Sequence, residues 1–323
     1  MNNSFKASVV IPVYNEVGNI RPLIRRIQAV FREISCGYEI IFSMDPCSDG
    51  TREAILEARQ QDENIKLIEL SRRFGQPIAI LAGLDFCSGD CCVVMDADLQ
   101  DPPELIKAML VKWQEGHDVV YARRVSRKND PITKKLASAL FYKFINRISD
   151  IPIPPDTGEF RLMSRQVVDY VRQVKDREGF LRGLVAYVGF PQTSVEFDRE
   201  VRNAGKGKYN PFFGSLKVAL NGIVGYSKYP LNFISTVGFL ISIFSFLFGF
   251  TYIILRLCKV EVPWGNPALV IIICFLSGIQ LLCLGIMGQY IARMYDDIKG
   301  RPIYIIRSTH GVTLPAPPRN LRP

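Results

Sequence analysis

The chain has 323 residues with 40 Lys and Arg against 31 Asp and Glu, so its formal net charge is +9. That length can hold about two domains, and the positive excess favours anionic partners such as nucleic acid, anionic lipid or phosphorylated substrates. Only two histidines are present, which argues against His-dependent catalytic triads and zinc hydrolase sites. The eight cysteines show no paired Cys-x-x-Cys spacing, so we expect reduced thiols in a protein that faces the cytosol.

The first part of the chain alternates between predicted strands and helices. An apolar strand begins at Ala7 and passes into polar residues by Glu16, and the apolar spacing over 20–34 predicts a helix after it. The same patterns predict strands at 38–44, 65–70, 91–95 and 118–122, and helices at 52–60, 76–88 and 103–115. This alternation is typical of an α/β domain built on a doubly wound parallel sheet, with ligands bound along one edge.

An apolar run at 91–95 leads into two carboxylates, Asp96 and Asp98, and Pro102-Pro103 then prevents the strand from continuing. The acids therefore follow the carboxyl end of a buried strand. Clustered carboxylates at that edge suit a hard divalent cation that also holds phosphate oxygens. A purely structural interpretation stays open, in which the two acids form a turn and cap the helix that begins near Pro103.

Two basic amphipathic stretches follow. Residues 131–148 and 211–228 each place Lys or Arg beside apolar residues at helical spacing. Helices of this type can lie in a membrane interface, and each could alternatively pack on the preceding domain.

Two longer segments, 231–255 and 268–292, contain no charged residue. Each is long enough to cross a hydrocarbon core of about 30 Å. Lys and Arg flank the pair on its outer sides, so the positive-inside rule predicts that both ends face the cytosol. We expect four regions: a cytosolic domain at 1–210, a juxtamembrane helix at 211–229, a transmembrane hairpin at 230–293 and a cytosolic tail at 294–323.

Five motifs give the chain a specific resemblance. They are Val9–Glu16 (VVIPVYNE), Ser48–Thr51 (SDGT), Asp96–Pro103 (DADLQDPP), Asp156–Leu162 (DTGEFRL) and Arg202–Tyr209 (RNAGKGKY). With these motifs the chain resembles family 2 glycosyltransferases of the polyprenyl-phosphate class, which include bactoprenol glucosyltransferases, dolichyl-phosphate mannose synthases and undecaprenyl-phosphate aminoarabinose transferases. The resemblance implies a GT-A fold, Rossmann-like with a mostly parallel sheet, followed by amphipathic interface helices and two transmembrane helices. One departure is that the family's Asp-Asp-Gly-Ser run is Met44-Asp45-Pro46-Cys47 here.

The resemblance also implies a donor site. By this resemblance Asp96, Asp98 and Gln100 hold Mg²⁺ or Mn²⁺ against the donor diphosphate, and Asp96 could instead reach the ribose. A second group follows or ends the first two predicted strands and should line the nucleotide pocket: Pro12, Tyr14, Glu16 and Asp45. From the residues alone, Tyr14 and Glu16 could equally form the turn before a helix.

The acceptor implied by the resemblance is a lipid phosphate, whose oxygen is already anionic near neutral pH. Cations must then offset the repulsion between donor and acceptor. Arg123 and Arg202 are favoured for this role and Lys208 is a further candidate, although members of the run 123–128 could also face solvent or lipid headgroups. By resemblance Asp156 would orient the acceptor phosphate or act as base, and as a bare sequence feature it could cap the next helix.

We therefore expect an enzyme of the plasma (inner) membrane that transfers one sugar, with glucose from UDP-glucose preferred, to a polyprenyl phosphate on the cytosolic leaflet with inversion. GDP-mannose or a UDP-amino sugar remains an alternative donor. A processive polysaccharide synthase is disfavoured because the Gln-x-x-Arg-Trp motif is absent. A non-catalytic lipid-binding scaffold is the alternative from another class. No recognised nucleic-acid-binding motif accompanies the positive charge, so no nucleic-acid partner is expected. Homo-oligomers could form through Gly278, Gly285 and Gly288.

Overall fold

The structure is a computed structural model that describes residues 5–124, 157–174, 180–198, 229–258 and 266–312. These residues belong to two compact units. The first contains 5–124, 157–174, 180–198 and 302–312, and the second contains 229–258 and 266–301. The two amphipathic stretches predicted at 131–148 and 211–228 lie outside the described residues, so their helices stay predictions.

The first unit begins with the predicted alternation of strands and helices. Its elements are β1 (Lys6–Val13), α1 (Val17–Ile34), β2 (Gly37–Met44), α2 (Thr51–Gln61), β3 (Ile65–Leu70), α3 (Gln76–Phe86), β4 (Cys91–Val94), α4 (Leu105–Gln114) and β5 (Val119–Arg124). All nine were predicted, with ends that differ by up to three residues. The chain continues with β6 (Thr157–Ser164), α5 (Arg165–Gln173), α6 (Leu181–Val188), β7 (Gln192–Phe197) and, after the second unit, β8 (Ile306–His310).

The described strands form one sheet in the order β7-β5-β6-β4-β1-β2-β3-β8. The central strands β4, β1, β2 and β3 are parallel, which confirms the mostly parallel sheet expected of a GT-A fold. Two strands run the other way. β6 inserts between β4 and β5 and is antiparallel to both, and β8 is antiparallel to β3. Neither strand was predicted from the sequence.

The hydrophobic core lies on both faces of the sheet. Successive strand residues point to opposite faces, so Val9 and Ile11 of β1 pack with α1 and α4 whereas Val10 packs with α3. Gly83 lets α3 approach the sheet closely, because a Cβ atom at this position would lie 2.3 Å from Cγ1 of Val10. The helices on both faces fix the strand ends that carry the polar loops.

The second unit consists, in its described part, of α7 (Tyr229–Leu257) and α8 (Asn266–Ile298). These helices contain the two predicted uncharged spans, and Tyr229–Phe248 and Phe275–Ile298 are long and apolar enough to cross a membrane. Large apolar side chains are exposed on them, Phe246 by 78%. Exposed apolar surface of this kind is typical of a membrane or protein interface.

The segment after α8 returns to the sheet of the first unit. β8 pairs with β3, and the backbone N–H of Ser71 donates to the carbonyl of Ile305 at 2.9 Å. The hydroxyl of Tyr304 donates to Oδ2 of Asp85 on α3 at 2.6 Å. Burial and the neighbouring Asp85 carboxylate raise the pKa of Tyr304. Residues 302–312 are therefore part of the first unit's fold.

Candidate active site

The candidate site lies where β4, β1 and β2 end. These strands are adjacent and parallel, so their following loops meet at one edge of the sheet. Tyr14 and Glu16 follow β1, Asp45 follows β2, and Asp96 and Asp98 follow β4. The structure thus brings these five predicted residues to the same edge. Pro12 is a buried residue within β1, one position before the strand's end.

The loops after β1 and β2 are joined by hydrogen bonds between them. Asn15 has a positive φ of 53°, its N–H donates to Sγ of Cys47 at 3.1 Å, and its Oδ1 accepts from the N–H of Ser48 at 2.9 Å.

The start of α1 is held by the same partner loop. The N–H of Glu16 donates to Oγ1 of Thr51 at 2.9 Å, and the N–H of Val17 donates to Oδ2 of Asp49 at 3.1 Å. Burial opposes ionisation of Asp49, but the hydrogen bonds that it accepts from the Thr51 hydroxyl and from the N–H groups of Val17 and Thr51 outweigh burial and lower its pKa. The motif Ser48–Thr51 therefore fixes the loop that carries Tyr14 and Glu16.

Asp45 is buried and fixes a third loop. Its Oδ1 accepts from the N–H of Phe74 at 3.0 Å, and its Oδ2 accepts from the N–H of Gly75 at 2.9 Å. Gly75 has a φ of +93°, which favours glycine, and it directly precedes α3. Both carboxylate oxygens of Asp45 thus hold the segment Arg72–Gly75, here called the β3–α3 loop. The predicted contact between Asp45 and a nucleotide stays a prediction.

The β3–α3 loop also contacts the first strand's loop. The guanidinium of Arg73 lies 4.2 Å from the ring centroid of Tyr14, and that of Arg72 lies 3.9 Å from the ring of Phe74. Contacts of this kind are attractive because the ring face is electronegative. Sequence reasoning missed this loop, which was predicted only as the connection before a helix.

The acid pair sits in a tight turn after β4. Asp98 is only 8% exposed, and its Oδ1 accepts from the backbone N–H of Gln100 at 3.1 Å. Oδ1 of Asp96 accepts from Nε2 of Gln76 at 2.6 Å. The alternative that the acids cap α4 is not supported, because α4 begins at Leu105 after Glu104, which makes no side-chain cap hydrogen bond. The turn itself is observed, with Leu99 at a φ of 60°.

A partly buried charge cluster lies at the start of β6. Because β6 is antiparallel to β4, its first residues extend past the carboxyl end of β4, toward the same edge as the acids. Nε of Arg182 donates to Oε1 of Glu159 at 2.8 Å, and Arg161, 4% exposed, donates from Nη2 to the carbonyl of Gly158 at 2.9 Å. Burial lowers the pKa of Arg161 to about 10 despite the neighbouring Glu159. Burial opposes ionisation of Glu159, but the two guanidinium groups outweigh it and lower its pKa.

The predicted acceptor-side cations are only partly described. Arg123 lies near the end of β5 and forms an ion pair with Glu196 of the neighbouring strand β7. β6 separates β5 from β4, so Arg123 is two strands from the acid pair. Asp156, Arg202 and Lys208 lie outside the described residues, and their roles stay predictions.

Comparison with known proteins identifies the family. Residues 8–172 match the model of glycosyl transferase family 2. The chain is 43% identical to the uncharacterized glycosyltransferase YkcC of Bacillus subtilis, over 97% of this chain and 96% of that protein. It is 38% identical to the SfII prophage-derived bactoprenol glucosyl transferase of Shigella flexneri, over 94% of this chain and 98% of that protein.

A solved structure, that of mannosyl-3-phosphoglycerate synthase from Rubrobacter xylanophilus, is similar at a TM-score of 0.47 and 16% identity, over 72% of this chain and 75% of that one. The family match covers β1 to α5 and therefore every described site residue named above except Arg182 and Glu196. The chain belongs to glycosyl transferase family 2, and it is a glycosyltransferase.

Proposed function

We propose that this glycosyltransferase moves one glucosyl group from UDP-glucose to a polyprenyl phosphate at the cytosolic face of a membrane. One observation carries the proposal. The similarity to a protein named bactoprenol glucosyl transferase covers 94% of this chain at 38% identity, so it includes both the sheet with its acid pair and the two apolar helices. A shared catalytic domain alone would leave the acceptor open, whereas a shared apolar hairpin favours a lipid acceptor.

The acid pair fits a divalent cation. Among the described residues no group of three or more His, Cys, Asp and Glu forms a closed metal cage. Two carboxylates with a nearby amide are instead the donor set typical of Mg²⁺ or Mn²⁺, which keep several waters and share the substrate's phosphates. Asp96, Asp98 and Gln100 would hold the ion. When bound, it would neutralise charge on the departing diphosphate.

The chain's own residues prepare the donor side. Asp45 and the motif Ser48–Thr51 fix the loops at the edge, so the donor meets a preformed surface and little binding free energy is lost in ordering it. Tyr14 and Arg73 lie together at this edge of the sheet. The ring of Tyr14 is suited to the face of a nucleobase, and the guanidinium of Arg73 is suited to a diphosphate.

The transfer itself is a single displacement. An oxygen of the acceptor phosphate attacks the anomeric carbon, a new carbon–oxygen bond forms, and the bond to UDP breaks with both electrons leaving on the UDP oxygen. Because the acceptor oxygen is already anionic, cations such as Arg123, Arg202 and Lys208 matter more than a strong base, and Asp156 would orient the phosphate. One displacement inverts the anomeric configuration, so a product with retained configuration would contradict this route.

The path of the chain supports a two-span topology. Residues 229–301 interrupt the first unit, and the chain then returns to that unit through β8. If α7 and α8 each cross a membrane, two crossings return the chain to the side from which it left. Basic residues flank the pair on that side, which supports a cytosolic location.

A donor panel tests the proposal. The full chain, purified in detergent, is incubated with undecaprenyl phosphate, Mn²⁺ and radiolabelled UDP-glucose, a UDP-amino sugar or GDP-mannose. We expect a labelled lipid from UDP-glucose. Transfer only from GDP-mannose would contradict the donor assignment, and no lipid product from any donor would contradict the acceptor.

A further inference from the structure

Gln76 is the first residue of α3, and its side chain contacts Asp96, the first acid of the pair. Its Nε2 donates to Oδ1 of Asp96 at 2.6 Å. The two residues lie 20 positions apart and follow different strands, β3 and β4, so the contact depends on the fold. No motif of the sequence analysis contains Gln76.

The position of Gln76 is fixed from both sides. Before it, the N–H groups of Phe74 and Gly75 are held by the buried carboxylate of Asp45. After it, Pro77 stands in the first turn, where its restricted φ suits a helix start, and Gly83 lets the helix pack directly against Val10. The amide of Gln76 is therefore presented to Asp96 by a rigid element.

The chemistry of an amide suits this contact. A hydrogen bond to one carboxylate oxygen restricts rotation of the group. The donor is neutral, so this contact places no formal positive charge beside Asp96, as Lys or Arg at position 76 would. A carboxylate that must attract a divalent cation benefits from both properties, since outer contacts that orient a ligand strengthen metal binding.

We propose, resting on the function proposed above, that Gln76 is a positioning residue that orients Asp96 for the cation and the donor diphosphate. It acts through Asp96 and takes no part in bond formation. Loss of its amide lowers the affinity for the cation and the donor more than it lowers the turnover of bound substrate.

The test replaces the amide without shortening the side chain. Gln76→Met keeps the length and removes the donor, and Gln60→Met is the matched control because Gln60 is an exposed glutamine of α2. For the full-length proteins in detergent, Mn²⁺ binding is measured by electron paramagnetic resonance in the presence of UDP, without glycosyl transfer. We expect Gln76→Met to weaken Mn²⁺ binding by about tenfold, and Gln60→Met to leave it unchanged.

Kinetics and stability complete the test. With UDP-glucose, Gln76→Met should raise KM by a similar factor while kcat changes less, and its thermal unfolding midpoint should match that of the wild type. Gln76→Ala is measured in parallel, so that misfolding of one variant does not decide the result.

Two outcomes overturn the inference: an Mn²⁺ dissociation constant within twofold of wild type in the folded variants, or no Mn²⁺ binding by the wild type with UDP. If the variants bind Mn²⁺ as the wild type does and the wild type transfers glucose, the inference about Gln76 is wrong but the proposed function stands. If Gln76→Met binds Mn²⁺ more weakly than the wild type but the wild type transfers no glucose, the inference about Gln76 is supported. The proposed donor or acceptor is then contradicted.

Discussion

The two edges of the central sheet both carry carboxylates, but their surroundings differ. At the edge where the strands begin, Glu39 is fully buried (0% exposed), and its carboxylate accepts hydrogen bonds from two ammonium groups, two hydroxyls and a backbone N–H. These donors are Lys66 at 2.6 Å, Lys6 at 2.9 Å, the hydroxyl of Ser8 at 2.5 Å, and the hydroxyl and N–H of Ser88 at 2.9 and 2.6 Å. At the edge where the strands end, the donors identified on Asp96 and Asp98 are an amide and a backbone N–H.

This difference distinguishes a structural acid, Glu39, from the two acids that we propose to be functional, Asp96 and Asp98. Glu39 is neutralised by lysines of the same sheet, so its charge contributes to folding. The donors identified on Asp96 and Asp98 carry no formal charge, and the two acids lie where the parallel strands end, which is where such sheets bind ligands. The comparison predicts that substitutions at one edge change stability and substitutions at the other change activity.

Asp98→Ala should have the largest effect on activity. Removing a charge that we propose acts at the reacting diphosphate should lower glucosyl transfer by about 100- to 1,000-fold, while the thermal unfolding midpoint changes little. Transfer of labelled glucose to undecaprenyl phosphate measures the effect. Glu63→Ala, which removes an exposed carboxylate before β3, is the control. Wild-type transfer by Asp98→Ala would mean that this edge is not catalytic.

Glu39→Gln should have the largest effect on stability. It leaves two lysine ammonium groups without their buried carboxylate, and breaking a buried ion pair in this way costs about 3 kcal/mol. Urea unfolding of the full chain in detergent, followed by circular dichroism, measures the loss. Activity per folded molecule should stay close to wild type. If Glu39→Gln lost activity without losing stability, the proposed division between the two edges would be wrong.

The pH dependence of unfolding should identify the same acid. Burial opposes ionisation of Glu39, but the bonds from Lys66, Ser8, Ser88 and Lys6 outweigh it and lower its pKa from 4.5 to about 2. A lowered folded-state pKa means that the unfolded state binds the proton more readily, so this contribution is present above pH 4.5 and is lost as the pH falls toward 2. Between pH 6 and pH 3, the denaturation midpoint should fall less steeply for Glu39→Gln than for the wild type. Parallel curves for the two proteins would show that Glu39 is not the acid responsible.

Tyr304→Phe should have the smallest effect. It removes the hydrogen bond between the returning C-terminal segment and Asp85 of α3, which should lower the unfolding free energy by about 1 kcal/mol. Tyr187→Phe is the matched control, because Tyr187 is 61% exposed. Equal urea midpoints for the two variants would show that the contact contributes nothing to the fold.

Much of this organisation was predictable from the sequence. The alternation of apolar runs and helical spacing predicts β1 to β5 and α1 to α4, and the rule that ligands bind at the carboxyl ends of parallel strands brings Tyr14, Asp45 and Asp98 to one edge. That rule uses only the order of elements along the chain.

The missed features depend on contacts between distant residues. β6 contains Glu159 and Arg161, which are tolerated in a buried strand because they pair with opposite charge, whereas a pattern of residue types treats them as exposed. β8 is only five residues long, has a single apolar residue, Ile306, and pairs with β3. Gln76 contacts Asp96 only once α3 is packed, and its own neighbours in sequence give no signal of that contact.

The most direct test of the account is glucosyl transfer from UDP-glucose to undecaprenyl phosphate by the full chain before and after chelation with EDTA. The acid pair at the carboxyl edge predicts transfer that is abolished by EDTA, restored by Mn²⁺ or Mg²⁺, and nearly absent in Asp98→Ala under every condition. Transfer that persists in excess EDTA, or no lipid-linked glucose from the wild type with either cation, would contradict it.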